Sequence, residues 1–298
     1  MRKKNIFKGL GVALVTPFLP DGSVDYPALK TLTLSLLDQN VDFICVLGTT
    51  AETPCLIDFE KRKIIREVVT LVDHQVPLLL GCGGNQTKIV MDYLKGEDLS
   101  GIDGVLVVAP FYNKPSQEGL YQHFTAVAQS TDLPVVLYNV PGRTGVNIDP
   151  TTVFRIAKTC DNVVAIKEAS GNICQVEQLL EHAPTGFEVI SGDDAITLQL
   201  LSMGCSGVIS VVGNAYPAAF GEMVRCVLKG DISRARTLHQ HFFVLNQLLM
   251  CDGNPSGIKA LLAIQGKINN VLRLPLVPVR KATEKAIFDL SQNLSQKF

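Results

Sequence analysis

One lysine in this chain stands where a charged side chain is unexpected. Lys167 closes the apolar run of residues 163–166 and precedes Glu168, at the point where a buried strand should end. A lysine in water has a pKa of about 10.4, whereas an apolar surrounding favours the uncharged, nucleophilic amine. Such an amine attacks keto carbons and forms a Schiff base, which acts as an electron sink. The alternative is a lysine that extends from the strand end into solvent.

Other polar side chains follow other apolar runs, and their chemistry complements an amine nucleophile. They are Thr49 and Thr50 after the second run, Tyr112 after the fourth, and Tyr138 and Arg143 after the fifth. Hydroxyls and backbone N–H groups ahead of a helix can hold a carboxylate. Phenols can transfer protons, and a guanidinium can bind a carboxylate through two hydrogen bonds.

The elements that would position these residues form a repeated pattern. Short apolar, β-branched runs alternate with amphipathic stretches of helical periodicity. The runs are residues 11–15, 43–47, 77–80, 105–108, 135–137, 163–166, 188–190 and 207–212. Continuous apolar strands indicate a parallel α/β sheet buried on both faces, and eight β-α units favour a closed (β/α)8 TIM barrel. Because active sites of such barrels lie at the carboxyl ends of the strands, this fold would gather the polar residues together.

An open, doubly wound sheet is the alternative fold. Its dinucleotide-binding form requires a Gly-x-Gly-x-x-Gly motif directly after the first strand. Neither residues 9–11 nor residues 81–84 supply that motif in that place.

The strand pattern stops after about residue 230 of the chain. The remaining helical stretches are residues 232–250, 258–265 and 279–294, interrupted by Pro255, Pro275 and Pro278. Proline ends helices because it lacks an N–H donor and clashes with the preceding turn. We therefore predict a catalytic barrel over residues 1–230 and a small C-terminal helical extension over residues 231–298.

The composition limits the partners of the protein. The 298 residues are 47% hydrophobic and 18% charged, enough to bury a large core, and 27 basic and 28 acidic residues give a net charge of -1. This balance provides no field that would attract nucleic acid, and no apolar segment approaches the roughly 20 residues of a membrane helix. We expect neither nucleic acid nor membrane as a partner.

The cysteines and the N-terminus both favour a cytoplasmic location. Eight cysteines lie far apart without a Cys-x-x-Cys pair, which indicates buried, reduced thiols. The start of the chain imitates a secretory signal, because basic residues 2–4 precede an apolar stretch. Lys8 interrupts that stretch and no small-residue cleavage pattern follows, so we do not expect a signal peptide.

Four motifs at the strand ends carry a resemblance to a known family. They are Gly48-Thr49-Thr50-x-Glu52, Tyr138-Asn139-Val140-Pro141-x-Arg143-Thr144-Gly145, Ile166-Lys167-Glu168-Ala169 and Ser191-Gly192-Asp193-Asp194. In this order, over nearly the whole chain, they resemble the dihydrodipicolinate synthase family of pyruvate-dependent Schiff-base aldolases. The resemblance implies condensation of pyruvate with L-aspartate 4-semialdehyde, which yields the cyclic precursor of diaminopimelate and lysine, and it implies no cofactor and no metal.

The resemblance also implies roles for individual residues. Lys167 matches the lysine that forms the imine with pyruvate, and Tyr138 matches the phenol that relays protons to and from the imine nitrogen. Thr49 would link Tyr138 to Tyr112, which in the family crosses a subunit interface to complete a neighbour's relay. We therefore expect a homo-oligomer, with the tetramer as the state that the resemblance implies.

Three further positions match substrate-binding residues of the family. Thr50 matches the residue that binds the pyruvate carboxylate, and Arg143 the residue that binds the carboxylate of the incoming aldehyde. Ile209 matches a position that contributes its backbone carbonyl to the site.

Each assignment has a simpler alternative. Tyr138 could be a core tyrosine, Tyr112 an exposed loop aromatic, and the threonines only a helix N-cap. We interpret Glu168 as structural, because a glutamate at a strand end most often pairs with backbone or a basic side chain. Asp193 and Asp194 resemble metal ligands but lack a third ligand at useful spacing.

The histidine pair in the predicted extension is a weak metal candidate. His239 and His241 lie two residues apart, which points their side chains to different faces of a helix. We therefore expect no metal site there.

Two other functions remain open. One is another lyase of the same superfamily, such as N-acetylneuraminate lyase; those enzymes lack an arginine at the position of Arg143 and usually have serine at Thr49. The other is a catalytically inactive barrel that acts as a binding protein, which the retained Lys167, Tyr138 and Tyr112 argue against.

The chain departs from the family at the feedback site. Lysine-inhibited bacterial members bind free lysine near the subunit interface through histidines, a glutamate and a tyrosine. The matching positions here are Asp58, Lys61, Ile89 and Phe111, whereas Asn85 is retained. Ile89 cannot pair with an ammonium group and Lys61 would repel one. We predict weak or absent feedback by lysine.

Overall fold

Eight parallel strands close into a barrel in the computed structural model, which describes residues 4–295 and 297. Each strand pairs with the next along the chain, and the last strand pairs with the first. The strands are β1 Gly9–Ala13, β2 Phe43–Val46, β3 Leu78–Cys82, β4 Gly104–Val108, β5 Val135–Asn139, β6 Val163–Glu168, β7 Glu188–Ser191 and β8 Gly207–Ser210. The predicted (β/α)8 fold is confirmed, and the open-sheet alternative is wrong.

Helices alternate with the strands and cover the outside of the barrel. Up to the last strand they are α1 Tyr26–Asp38, α2 Asp58–Val72, α3 Thr87–Gly96, α4 Gln117–Ala128, α5 Pro141–Thr144, α6 Pro150–Thr159, α7 Ile173–His182 and α8 Thr197–Met203. The first begins as its sequence indicates, because Asp25 accepts a hydrogen bond from the Ala28 N–H and Pro27 occupies the first turn. After β8, the chain continues as α9 Pro217–Leu228.

The barrel strands are buried on both faces, as their continuous apolar sequences indicated. Inside the barrel, the rings of Phe7 and Phe43 meet edge to face with their centroids 5.5 Å apart. A Cβ on Gly11 would lie 2.1 Å from the Phe43 ring, so glycine is required there. A second, larger apolar cluster fills the space between the barrel and its helices.

Several strands extend beyond the apolar patterns that predicted them. The predictions ended β5 at residue 137 and β6 at residue 166, whereas Tyr138 pairs with Lys167 and Asn139 with Glu168. Backbone pairing continues here because the polar side chains have partners, with Asn139 Nδ2 donating to Glu168 Oε2 at 2.9 Å. Lys167 therefore lies inside β6 rather than after it.

The first strand begins and ends two residues earlier than predicted. It was predicted over residues 11–15 and forms over Gly9–Ala13. The displacement follows from barrel closure, because Gly9 of β1 pairs with Gly207 of β8.

The C-terminal region is helical, as predicted. Its helices are α10 Ile232–Cys251, α11 Ser256–Ile264 and α12 Lys281–Ser295. The first packs along α9, and α12 packs against both α10 and α11. A domain boundary at residue 230 stays a prediction.

Two remaining expectations concern the thiols and the N-terminus. All eight cysteines are free; Cys45, Cys160 and Cys205 are buried, whereas Cys174 and Cys251 are exposed, so the expectation of buried thiols holds only in part. Within residues 4–295 and 297, none of the helices has the length and apolar character needed to span a membrane. Residues 2 and 3, the first basic residues of the N-terminal stretch, lie outside the described residues.

Candidate active site

Five of the predicted site residues line one cavity at the carboxyl ends of the strands. The cavity has a volume of about 170 Å³ and is lined by Lys167, Tyr138, Thr49, Thr50 and Arg143, among others. These residues come from the ends of β2, β5 and β6 and the loops that follow them. The barrel thus brings together the amine, a phenol, two hydroxyls and the guanidinium.

Lys167 is buried in the wall of this cavity. Its side chain comes from β6, is 7% exposed, and places Nζ 4.4 Å from the centroid of the Tyr138 ring. A Cβ on Gly192 would lie 3.0 Å from Lys167 Cε and 2.7 Å from Ala169 Cβ, so the glycine of the fourth motif leaves room for the lysine. This position excludes a lysine that simply extends into solvent.

The cysteine in the cavity does not compete with the amine as a nucleophile. Burial raises the pKa of the Cys45 thiol to about 11. The thiolate is the reactive form of cysteine, so this thiol is unreactive near neutral pH.

Thr49 and Thr50 lie in a short 3₁₀ turn, Thr49–Ala51, directly after β2. Thr50 is buried, and its Oγ1 accepts a hydrogen bond of 3.0 Å from Asn254 Nδ2. Because the oxygen acts as acceptor in this bond, the hydroxyl hydrogen remains available to a ligand carboxylate.

Arg143 lies on the exposed side of the cavity. It belongs to α5, a single turn that ends at Gly145 with a φ of 74°. Its Nη2 donates to the backbone carbonyl of Asn254 at 3.2 Å. A guanidinium has five N–H donors, so most of its donor capacity is left for a substrate.

The C-terminal extension contributes residues that sequence reasoning did not assign to the site. Asn246 and Met250 of α10 and Asn254 in the following loop line the cavity. The sequence has no local signal for them, because their place depends on how α10, which begins 65 residues after Lys167, packs over the barrel mouth.

Two predicted site residues lie elsewhere in the single chain. Tyr112 is 88% exposed, with a left-handed φ of 72°, and does not line the cavity. Ile209 is buried in the apolar cluster inside the barrel and is also absent from the cavity lining. The roles assigned to Tyr112 and Ile209 stay predictions.

Glu168 has the contacts expected of a structural residue. Its carboxylate accepts hydrogen bonds from Asn139 Nδ2, Gln175 Nε2 and the Ser170 N–H, at 2.9, 3.0 and 2.7 Å. With these partners in place, Glu168 holds the ends of β5 and β6 together.

The two aspartates of the fourth motif line the cavity and also accept hydrogen bonds from backbone N–H groups. Asp194 Oδ2 accepts from the N–H groups of Val211 and Val212, at 2.8 Å each, and burial raises the pKa of this carboxyl to about 6. Asp193 Oδ1 accepts from the Ala195 N–H. Among the residues that the structure describes, no group of three or more His, Cys, Asp or Glu could hold a metal ion.

Comparison with known proteins identifies the relatives of this chain. Residues 6–294 match the model of the dihydrodipicolinate synthetase family. A relative from Phocaeicola vulgatus is 55% identical over 276 residues, covering 93% of each chain, and one from Parabacteroides distasonis is 53% identical over 290 residues, covering 97% of this chain and 98% of the relative. Both are named 4-hydroxy-tetrahydrodipicolinate synthase. The crystal structure of dihydrodipicolinate synthase from Thermotoga maritima is 39% identical with a TM-score of 0.95, covering 98% of this chain and 99% of that one.

Proposed function

This chain belongs to the dihydrodipicolinate synthetase family, and from that membership we propose that its cavity condenses pyruvate with L-aspartate 4-semialdehyde through an imine on Lys167. The product is 4-hydroxy-tetrahydrodipicolinate, and the chain is a lyase of lysine and diaminopimelate biosynthesis. The observation that supports the role of Lys167 best is its burial beside Tyr138 in a cavity that also contains Thr50 and Arg143.

In the first half of the reaction, pyruvate binds with its carboxylate at Thr50. The amine of Lys167 attacks the keto carbon, and the resulting carbinolamine loses water to give the imine. The Tyr138 hydroxyl gives a proton to the departing oxygen and later takes one up. Loss of a proton from the pyruvate methyl group then leaves an enamine, because the protonated imine accepts the electron pair.

In the second half, Arg143 orients the aldehyde. Its free N–H groups can bind the substrate carboxylate through two charge-assisted hydrogen bonds, which directs the aldehyde carbon toward the enamine. Carbon–carbon bond formation is followed by attack of the substrate amine on the imine carbon. This attack closes the ring and releases Lys167.

A direct assay separates this activity from that of a sugar-acid lyase. Purified protein with pyruvate is given either L-aspartate 4-semialdehyde or N-acetylmannosamine, and product formation is followed in each case. We expect turnover with the semialdehyde alone, because Arg143 provides a site for a carboxylate that the sugar lacks. Preferential turnover of N-acetylmannosamine would contradict the proposed function.

The exposed Tyr112 supports a proposal about assembly. We expect a cytoplasmic homotetramer in which Tyr112 of one subunit completes the proton relay of its neighbour. A mixed oligomer tests this arrangement, because a Lys167→Ala subunit can supply an intact Tyr112 to a neighbour that carries Tyr112→Phe. Co-expression should restore activity that neither variant has alone; the absence of any gain in confirmed mixed oligomers would contradict sharing of Tyr112.

A further inference from the structure

A fully buried ion pair joins the Thr49–Thr50 turn to the C-terminal extension. Lys259 Nζ of α11 lies 2.5 Å from Glu52 Oε1, and both side chains are completely buried. Removing two charges from water is costly, so such a pair adds little stability compared with well-packed apolar residues. The pair therefore calls for a role other than stability.

The backbone of Glu52 shapes the loop that carries the substrate-binding threonines. Glu52 has a left-handed conformation, with φ 55° and ψ 35°, between the turns Thr49–Ala51 and Thr53–Cys55. A residue with a Cβ keeps this conformation only where its surroundings hold it. Here the second carboxylate oxygen, Oε2, accepts from the Arg273 N–H at 3.0 Å. Both oxygens of Glu52 thus contact the C-terminal region.

Lys259 is equally well fixed. Its Nζ donates to the Val271 carbonyl at 2.9 Å and lies 4.0 Å from the centroid of the Phe18 ring. Its backbone N–H donates to the Pro255 carbonyl at 3.0 Å, within the first turn of α11. Lys259 therefore connects the first turn of α11 to Glu52, the residue that follows the Thr49–Ala51 turn.

The residue just before this turn of α11 contacts two proposed substrate-binding groups. Asn254 Nδ2 donates to Thr50 Oγ1, and the Asn254 carbonyl accepts from Arg143 Nη2. A shift at the start of α11 would move both contacts together. The contacts form a continuous path from the buried ion pair to the cavity.

We propose that Glu52 and Lys259 are positioning residues. Their ion pair holds α11 against the Thr49–Thr50 turn, and this contact places Thr50 and Arg143 where they can bind the substrate carboxylates. This inference rests on the proposed function of those two residues. Its consequence is that loss of the pair impairs substrate binding even where the fold is intact.

The test is the double variant Glu52→Gln with Lys259→Met. It removes both charges, so that neither charge is left buried without a partner. Replacing both partners of a buried pair is often neutral for stability, so we expect a melting temperature close to that of the wild type. We expect the KM for pyruvate to rise about tenfold, as for loss of one hydrogen bond to a charged group, with a smaller change in kcat. Glu222→Gln is the matched control, because it makes the same change in the exposed Glu222–Arg234 pair and should keep the wild-type KM.

The outcomes separate positioning from a purely structural role. A double variant with normal melting temperature and a KM within about twofold of the wild type would contradict the inference. If the double variant does not fold, Glu52→Asp replaces it, because it keeps both charges and shortens the acidic side chain by one methylene group; a raised KM supports positioning, and a normal KM or a second failure to fold contradicts it. Wild-type protein that does not turn over pyruvate and the semialdehyde would instead contradict the proposed function.

Discussion

At the scale of single residues, the chemistry of the site is determined by side-chain type and by position at a strand end. Lys167, Tyr138 and Arg143 could be assigned from the sequence because each closely follows a recognisable apolar run. Asn254 could not, because its contacts with Thr50 and Arg143 depend on packing between distant segments. The backbone role of Ile209, which rests on the family resemblance, stays a prediction.

Tyr138→Phe is the residue-scale prediction. The substitution keeps the ring beside Lys167 but removes the hydroxyl that we assign to proton transfer. We expect an unchanged melting temperature and a turnover lower by about 100-fold, as is typical for loss of a general acid–base. Near-normal kcat in a steady-state assay would remove Tyr138 from the proton relay.

At the scale of helices and strands, periodicity predicted the elements well and their ends less well. The start of helix α1 follows from local features, because Asp25 caps the helix and Pro27 lies in its first turn. The ends of β5 and β6 were placed two residues too early, because hydrogen bonds between polar side chains continue the pairing beyond the apolar run. The contact of α11 with the site has no counterpart in local periodicity.

The pH dependence of stability should report on a contact between α3 and α4. His123 of α4 is buried, and its Nδ1 lies 2.9 Å from Thr87 Oγ1 of α3. Burial lowers the pKa of His123 from 6.5 to about 4. Below pH 6.5 the unfolded chain therefore binds more protons than the folded chain, so the contribution of His123 to stability, complete above pH 6.5, is lost as the pH falls toward 4.

His123→Gln should remove this part of the acid sensitivity. In urea unfolding, the free energy of unfolding of the wild type should fall by about 2 kcal/mol more than that of the variant between pH 7 and pH 5. His74→Gln, which changes an exposed histidine, is the matched control and should behave as the wild type does. An identical fall in the free energy of unfolding in all three proteins would show that His123 is not kept neutral by burial.

At the scale of the whole molecule, the closed barrel and its helical extension act as one unit around the cavity. The fold class was predictable because eight apolar runs alternate with helices, whereas the cover provided by α10 and the loop that follows it required the three-dimensional structure. Tyr112 is exposed in the single chain, so its proposed role belongs to the assembly.

The residues at the positions of the family's feedback site predict weak or absent binding of lysine. Lys61 Nζ lies 3.2 Å from Asp58 Oδ1, and the side chain of Ile89 is 63% exposed. A bound lysine ammonium would meet the positive charge of Lys61, which is already paired with Asp58, and the apolar side chain of Ile89. Calorimetric titration with lysine should give no saturable heat, whereas pyruvate serves as the positive control; tight binding of lysine would refute this prediction.

The central claim is that the amine of Lys167 bonds covalently to pyruvate, and reductive trapping tests it most directly. Protein is treated with borohydride in the presence of pyruvate, digested, and mapped by mass spectrometry, in parallel with Lys167→Ala. The account predicts one pyruvate adduct on the peptide that contains Lys167 and none on the variant. An adduct on a different peptide, or one that persists in Lys167→Ala, would contradict it.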